Sequence, residues 1–228
     1  MYIYNKKDIE MTTYVITHRD FALPSWLEGD VKIVTDKDLK NDYKCPVIKA
    51  DNELAPLKHS YSELFQMYDI YRKDTTSDFI CIQHYRRYFR PVEAKNTLPI
   101  PFNGNILTQY AMCHNIEHLN QCIALVNKYY PTYNTDNLDK LIPCNMSIQD
   151  HDTFNDYCNF LFTILQAFHE QNHLYTDADV ANYVSTYNNQ PISYQSRLGG
   201  FLSERLGTIY FLNHQENNYT YKPIVPYE

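Results

Sequence analysis

Apolar positions along this chain recur with two periods in alternation. Thr13–Thr17 (Thr-Tyr-Val-Ile-Thr), Val31–Val34 and Pro46–Lys49 are short β-branched runs separated by charged, turn-prone stretches, and they predict three strands. From Ser60 to Lys73 the apolar residues Leu64, Met67, Tyr68 and Tyr71 fall at helical spacing, and Ser60 and Glu63 stand where a capping box would start that helix. Phe79–Ile82 is a continuous apolar run and predicts a buried strand, followed by a loop carrying Pro91, Pro99 and Pro101. A second amphipathic helix is predicted over Ile116–Tyr130, stopped by Pro131, and a late strand over Asn145–Ile148. A long helix capped by Asp152 or Thr153 runs through Phe168. A shorter one covers Thr176–Tyr187 with Asp177 and Asp179 in its first turn, and the last covers Leu198–Leu212. Strands interleaved with helices predict an α/β fold built on a largely parallel sheet with helices on both faces.

The composition narrows this picture. With 228 residues and 44% hydrophobic content, one domain spanning residues 1–228 is expected. A net charge of −7 argues against a sequence-independent nucleic-acid binder, which needs a basic face. Only five glycines occur, with no Gly-rich phosphate loop, so a P-loop or dinucleotide fingerprint is excluded. The six cysteines are scattered without a Cys-x-x-Cys pair, the usage expected of reduced thiols in a cytoplasmic protein. No run approaches a membrane span, and the first residues hold no long apolar segment. A soluble, cytoplasmic protein is expected, peripheral to a membrane at most through its substrate.

The candidate chemistry sits at the end of the Phe79–Ile82 run, where His84, Tyr85, Arg86, Arg87 and Tyr88 follow one another. Ligands of open α/β sheets lie outside the carboxyl ends of the strands. Guanidinium forks grip phosphate oxygens bidentately and phenol rings offer stacking faces, so this block suits an anionic, ring-bearing ligand. Thr17, His18 and Arg19 occupy the end of the first strand and are the natural nucleoside or phosphate contacts.

The block His84-Tyr-Arg-Arg-Tyr-Phe89 occurs together with Tyr61-Ser-Glu-Leu-Phe65, with Asn155-Asp-Tyr-Cys-Asn-Phe-Leu-Phe-Thr-Ile-Leu165 and with Arg197-Leu-Gly-Gly-Phe-Leu-Ser-Glu-Arg-Leu206. In this order the segments resemble a bacterial family, the glycosyltransferase domain of capsular- and exopolysaccharide synthesis, over roughly Thr13–Leu212. Phe65, Phe160 and Ser203 stand where that family favours Thr, Trp and Ala. The resemblance implies a GT-A-type, Rossmann-like sheet and transfer of a hexose or pentose, furanose sugars included. The donor would be a nucleotide sugar, UDP-linked, and the acceptor a hydroxyl of a glycan or glycolipid in surface-polysaccharide assembly. A hydroxylated base in phage-type DNA is the alternative acceptor.

Such a transfer needs a nucleoside pocket, positive charge on the departing diphosphate and an acceptor hydroxyl held in line. Arg86 and Arg87 are expected to supply that charge, because no acid precedes Glu93 after the strand to form an Asp-x-Asp metal site. If a Mn or Mg ion accompanies the donor instead, Asp150 with Asp152 or Asp177 with Asp179 have the spacing to hold it. Glu63, His84, Tyr85, Tyr88 and Arg197 join Thr17, His18 and Arg19 as candidate donor contacts, and His114 and Asn145 are candidate acceptor contacts. Glu204 is the first choice of base, ahead of Asp150 and Asp152, and the glutamate of a Glu–Arg pair with Arg205 is its competing role.

Two further patterns point elsewhere. His169-Glu170-Gln-Asn-His173 matches the zinc-peptidase motif, with Glu204 as a possible third ligand, and His114-Asn-Ile-Glu-His118 matches its inverse. Two mutually exclusive motifs in a chain with nine histidines argue for coincidence. A zinc metallopeptidase and a non-catalytic nucleotide-sugar or glycan-binding module are the alternative readings.

Overall fold

The first β-branched run becomes the middle of the sheet. The computed structural model describes residues 9–136 and 138–227. In it β1 (Met11–Thr17) pairs in parallel with β2 (Asp30–Thr35) on one side and with β4 (Phe79–His84) on the other, while β3 (Val47–Lys49) extends the edge beyond β2. On the far side of β4 the direction reverses. β9 (Ser147–Asp150) lies antiparallel to it, followed by β6 (Thr97–Pro99) and β10 (Thr220–Lys222). The order β10-β6-β9-β4-β1-β2-β3 makes a mostly parallel α/β sheet. β5 (Arg87–Phe89) folds back from the end of β4 and pairs with β11 (Ile224–Pro226), and β7 (Phe102–Asn103) with β8 (Lys140–Leu141) forms a separate ribbon.

Alternation along the strands divides the core. Tyr14, Ile16, Val34, Ile80 and Ile82 point into one cluster, shared with α2 (Leu64–Lys73), α4 (Ile116–Tyr129), α5 (His151–Gln171) and α8 (Leu198–Asn213). Val15, Val31 and Ile33 point the other way, where Phe21, Leu23, Trp26, Leu39 and Tyr43 cover them from segments without helix, and Cys81 packs in a third cluster with Phe89, Met146 and Ile148. The sheet is flanked by helices as expected, and these helices share the first of the clusters. The connection after β1 is broken by Pro24 and Gly29, the one after β2 is charged, and neither carries a helical apolar repeat.

Shorter helices complete the chain: α1 (Lys58–Tyr61), α3 (Ile106–Ala111), α6 (Asp177–Tyr183) and α7 (Ile192–Gln195). The single helix predicted over Ser60–Lys73 is two, broken at Ser62, whose φ of 54° and ψ of −126° leave the helical region. Nor does Ser60 cap it: the Ser60 and His59 amides donate to Asp177 of α6, at 3.0 Å each. α8 explains the break. A Cβ on Gly199 would stand 3.1 Å from the Ser60 carbonyl oxygen, and one on Gly200 would stand 3.1 Å from Ser62 Cβ, so only glycines let α8 approach the α1–α2 junction this closely. α5 is capped by Asp150, one position before its first residue, with Thr153 N donating to Asp150 Oδ1 at 3.0 Å. All six cysteines are free, and among the described residues no helix is long and apolar enough to cross a membrane.

Candidate active site

The block that ends β4 is the tip of a hairpin. His84 pairs with Arg87 across a turn formed by Tyr85 and Arg86, and β5 returns antiparallel. Two backbone bonds pin the turn: Tyr85 N–H donates to Ile16 O at the end of β1, and Tyr227 N–H donates to Arg86 O from beyond β11, each at 3.0 Å. Tyr88 and Phe89 point inward and are fully buried, and the Tyr88 hydroxyl donates to Tyr85 O at 3.0 Å. Tyr88 is therefore a support beneath the turn, and its ring packs on Trp26 and Tyr227 rather than on a ligand.

Above that support the turn carries charge. The Arg19 and Arg86 guanidinium carbons lie 5.1 Å and 5.5 Å from the Tyr85 ring centre, and the His18 ring meets the same phenol edge-on at 5.2 Å. Thr17 holds the β1 end in shape: its hydroxyl donates to Arg19 O at 2.6 Å and accepts from Arg19 N–H at 3.2 Å. Among the described residues none of Arg19, Arg86 and Arg87 pairs with a carboxylate; Arg87 Nη1 donates only to Cys144 Sγ, at 3.5 Å. Burial, then Arg19, Arg197 and Arg86, hold the His18 imidazole below its ordinary pKa, which marks a positive field at the strand ends. Beside it, among the segments without helix, a hollow of about 710 Å³ opens between Phe21, Leu27 and Tyr43.

Two carboxylates face this field from the helical layer. Glu63 follows the strained Ser62; its Oε1 accepts from Asn145 Nδ2 at 3.0 Å and its Oε2 lies 3.9 Å from Arg197 Nη2. Burial alone would raise its pKa, but the neighbouring His84, its own backbone amide, Asn145 and Ser62 outweigh that and hold it ionised. Glu204 on α8 accepts from Cys144 N–H at 2.8 Å through Oε1 and from Arg205 Nη1 at 3.0 Å through Oε2. Burial, with Glu63 as a like charge opposed by Arg205, moves its pKa up. Cys144 and Asn145, between the two, take φ of 75° and 46°, and Asn145 Nδ2 also donates to Ser203 Oγ at 2.8 Å. Asn145 Oδ1 and His84 Nε2 are buried without a hydrogen-bond partner among the described residues.

Thus Thr17, His18, Arg19, Glu63, His84, Tyr85, Arg86, Arg87, Asn145, Arg197 and Glu204 come together, although they span most of the chain. His114 stands behind them: it is buried, its Nδ1 donates to Gln195 Oε1 at 2.8 Å, and its ring packs on Phe201. Ser62, Cys144 and Ser203 are members of the site that residue type alone does not announce, whereas Arg205 makes the Glu204 pair that the sequence offered. The Arg-x-x-Gly-x-x-Ser pattern, whose small residues recur on one face of α8, is the signal that locates Ser62 and Ser203.

The zinc patterns do not assemble. His169 is buried in α5, its Nδ1 donates to Leu165 O at 2.7 Å, and its ring stacks on Tyr61. His173 lies past the end of that helix with φ of 55°, so the two imidazoles share no helical face. In the inverse pattern, Glu117 points to solvent while His114 and His118 are buried. Among the described residues no three potential ligands cluster for a metal. Three of the four paired aspartates are committed as well. Asp150 caps α5 and binds Asn96, Asp179 closes the capping box of α6, Asp177 holds the amides of α1, and Asp152 is exposed.

The family model described as "Domain of unknown function (DUF4422)" matches residues 12–100 and 94–216. A solved apo structure of WbbM, a bifunctional glycosyltransferase, matches with a TM-score of 0.71 at 18% sequence identity, over 95% of this chain and 45% of that one. This chain therefore spans about half the length of the solved protein, and the likeness is one of fold. No curated protein matches.

Proposed function

We propose that this chain, which belongs to the family described as a domain of unknown function (DUF4422), is a glycosyltransferase. It moves a sugar from a nucleotide-sugar donor, UDP-linked, to a hydroxyl of a glycan or glycolipid in surface-polysaccharide assembly at the cytoplasmic side. One observation carries the reading: arginines that pair with no carboxylate among the described residues lie over Tyr85 at the carboxyl ends of β1 and β4, beside Glu63, His84 and Asn145. An anion bound there meets positive charge already in place, and a hydroxylated group beyond it meets buried polar atoms, Asn145 Oδ1 and His84 Nε2, that hold no partner among the described residues.

In this reading Arg86 and Arg87 hold the diphosphate, so that charge developing on the leaving group is met by fixed guanidinium groups. Tyr85, His18 and Arg19 form the nucleoside side, Arg197 closes the phosphate side over Ser62, and Asn145 reads a sugar hydroxyl. In each carboxylate pair with metal-site spacing one member caps a helix, Asp150 for α5 and Asp179 for α6, and Asp177 holds two amides of α1, which favours arginine charge over a bound cation for this role.

Thermal-shift titration with UDP, UDP-sugars and GDP-sugars, followed by donor hydrolysis with and without glycan acceptors, tests the reading. Stabilisation by UDP together with release of UDP from a UDP-sugar is expected. Binding without turnover, even with acceptor mixtures, would mean a nucleotide-sugar-binding module. No shift with any nucleotide would refute the assignment.

A further inference from the structure

Which of the two carboxylates acts on the acceptor is decided by what each oxygen already holds. A general base needs a lone pair within hydrogen-bond reach of the proton it takes. Both oxygens of Glu204 are engaged at hydrogen-bond length, one by the Cys144 amide and one by Arg205. Arg205 is itself buried and locked: it donates to Phe201 O at 2.9 Å, also to Gln109, and lies over the Tyr110 ring at 5.3 Å. Glu63 differs. One oxygen is held by Asn145, with the Ser62 side chain and Glu63's own amide also drawn to the carboxylate, while the other has Arg197 at 3.9 Å, beyond hydrogen-bond length, on the side where Arg197 is 41% exposed.

The backbone around Glu63 supports the same distinction. Three non-glycine residues with positive φ gather around it: Ser62 immediately before it, Asn145 bonded to its carboxylate, and Cys144 next to Asn145 in the chain. Such conformations cost about 1–3 kcal/mol each and persist where surrounding structure holds them. α8 is the holder. Successive turns of this helix present Ser203 to Asn145, Glu204 to Cys144 and Thr208 Oγ1 to the Ile142 amide, the last at 2.9 Å. His84 Nε2 and Asn145 Oδ1, buried without a partner among the described residues, belong to the same group, and a hydroxyl-bearing ligand would satisfy them.

We infer that Glu63 is the general base and that Glu204, with Arg205, is a positioning residue that splints the Cys144–Asn145 turn against it. The inference rests on the glycosyltransferase reading and assigns its chemistry. As the acceptor oxygen bonds to the anomeric carbon, its proton passes to Glu63. The bond from that carbon to the diphosphate breaks, and its electron pair leaves on the diphosphate held by Arg86 and Arg87. Glu63 then returns the proton to solvent.

The test compares Glu63→Gln, Glu63→Asp, Glu204→Gln and Glu204→Ala in the full chain. UDP is the binding probe, and hydrolysis of UDP-glucose and UDP-galactose gives the turnover readout. Glu63→Gln should keep the UDP dissociation constant within about threefold and lower turnover by about 10²–10⁴-fold. Glu63→Asp keeps the charge but withdraws it by one methylene and should lose about 10²-fold, which preserves the test if the glutamine variant does not fold. Glu204→Gln retains an oxygen for the Cys144 amide and should lose at most about tenfold; Glu204→Ala should lose both turnover and melting temperature. Rescue by glutamine separates splinting from proton transfer. The inference is overturned if Glu63→Gln turns over within about threefold of the unaltered chain. It is equally overturned if Glu204→Gln falls as far with UDP binding and melting temperature intact. An unaltered chain that hydrolyses neither donor nor any UDP- or GDP-sugar overturns the parent reading, and this assignment with it.

Discussion

Replacing Arg86 or Arg87 separates ligand binding from folding unusually well. Arg86 is exposed, lies 5.5 Å from the Tyr85 ring centre and has no carboxylate partner among the described residues. Its removal costs the fold one exposed cation–π contact, worth about 0.5–1 kcal/mol, or a melting shift of roughly 1–4 °C for a domain of this size. Among the described residues Arg87 loses one long hydrogen bond, to Cys144 Sγ at 3.5 Å, and its electrostatic attraction to Glu204. Against a diphosphate the same side chains make charge-assisted hydrogen bonds worth about 1.5–3 kcal/mol. Arg86→Ala and Arg87→Ala should therefore each weaken UDP binding by roughly 10- to 100-fold while the protein stays folded. Lysine at either position should restore only part of the loss, since a point charge cannot reproduce the planar fork.

Isothermal titration of UDP at fixed ionic strength, in EDTA and again in manganese, measures this directly. Affinity should survive EDTA in the unaltered chain and fall in the alanine variants. UDP binding that appears only with manganese would refute the reasoning, as would alanine variants whose affinity stays within about twofold of the unaltered chain.

Gly200→Ala places a Cβ 3.1 Å from Ser62 Cβ. The overpacking, about 1–2 kcal/mol, is largely offset by the roughly 1 kcal/mol gained in helix propensity, so the melting temperature should barely move. Ser62 and Glu63 must shift instead, and donor turnover should fall by about tenfold or more, which steady-state kinetics beside calorimetry will show. His118 is buried between Phe168 and Tyr183, and burial, then His114, lower its pKa to about 4. Its folded pKa lies below its unfolded value near 6.5, so at pH 5 the unfolded chain is protonated there and the folded chain is not. Stability is lost as pH falls between those values, by about 2 kcal/mol from pH 7 to pH 5. His118→Phe should remove that part of the loss in urea denaturation at the two pH values, while His114 and His169, also lowered, keep a residual slope.

What the chain revealed before its structure, and what it concealed, divides by the range of the interaction. Periodicity located β1, β2, β4, α4, α5 and α8, because each buries a face set by its own residues. It missed β5, since a Tyr-Arg turn carries none of the Gly or Asn that announces a tight hairpin. It joined α1 to α2, since the apolar repeat resumes in phase across Ser62. That break is imposed by Gly199 and Gly200 of α8 and by Asp177, more than 110 positions away. Asp177 itself reads as an acid favoured by its own helix dipole, yet it serves the amides of another helix. The site follows the same rule. That arginines and tyrosines at the end of β4 face an anion is a statement about residue type and strand position, both local. Which carboxylate is free to take a proton depends on Cys144 and Arg205 claiming Glu204, while Asn145 and Arg197 leave one side of Glu63 open. Those four partners come from a turn with two left-handed residues and from the first turns of α8, and no spacing in the chain brings them together before the helix docks.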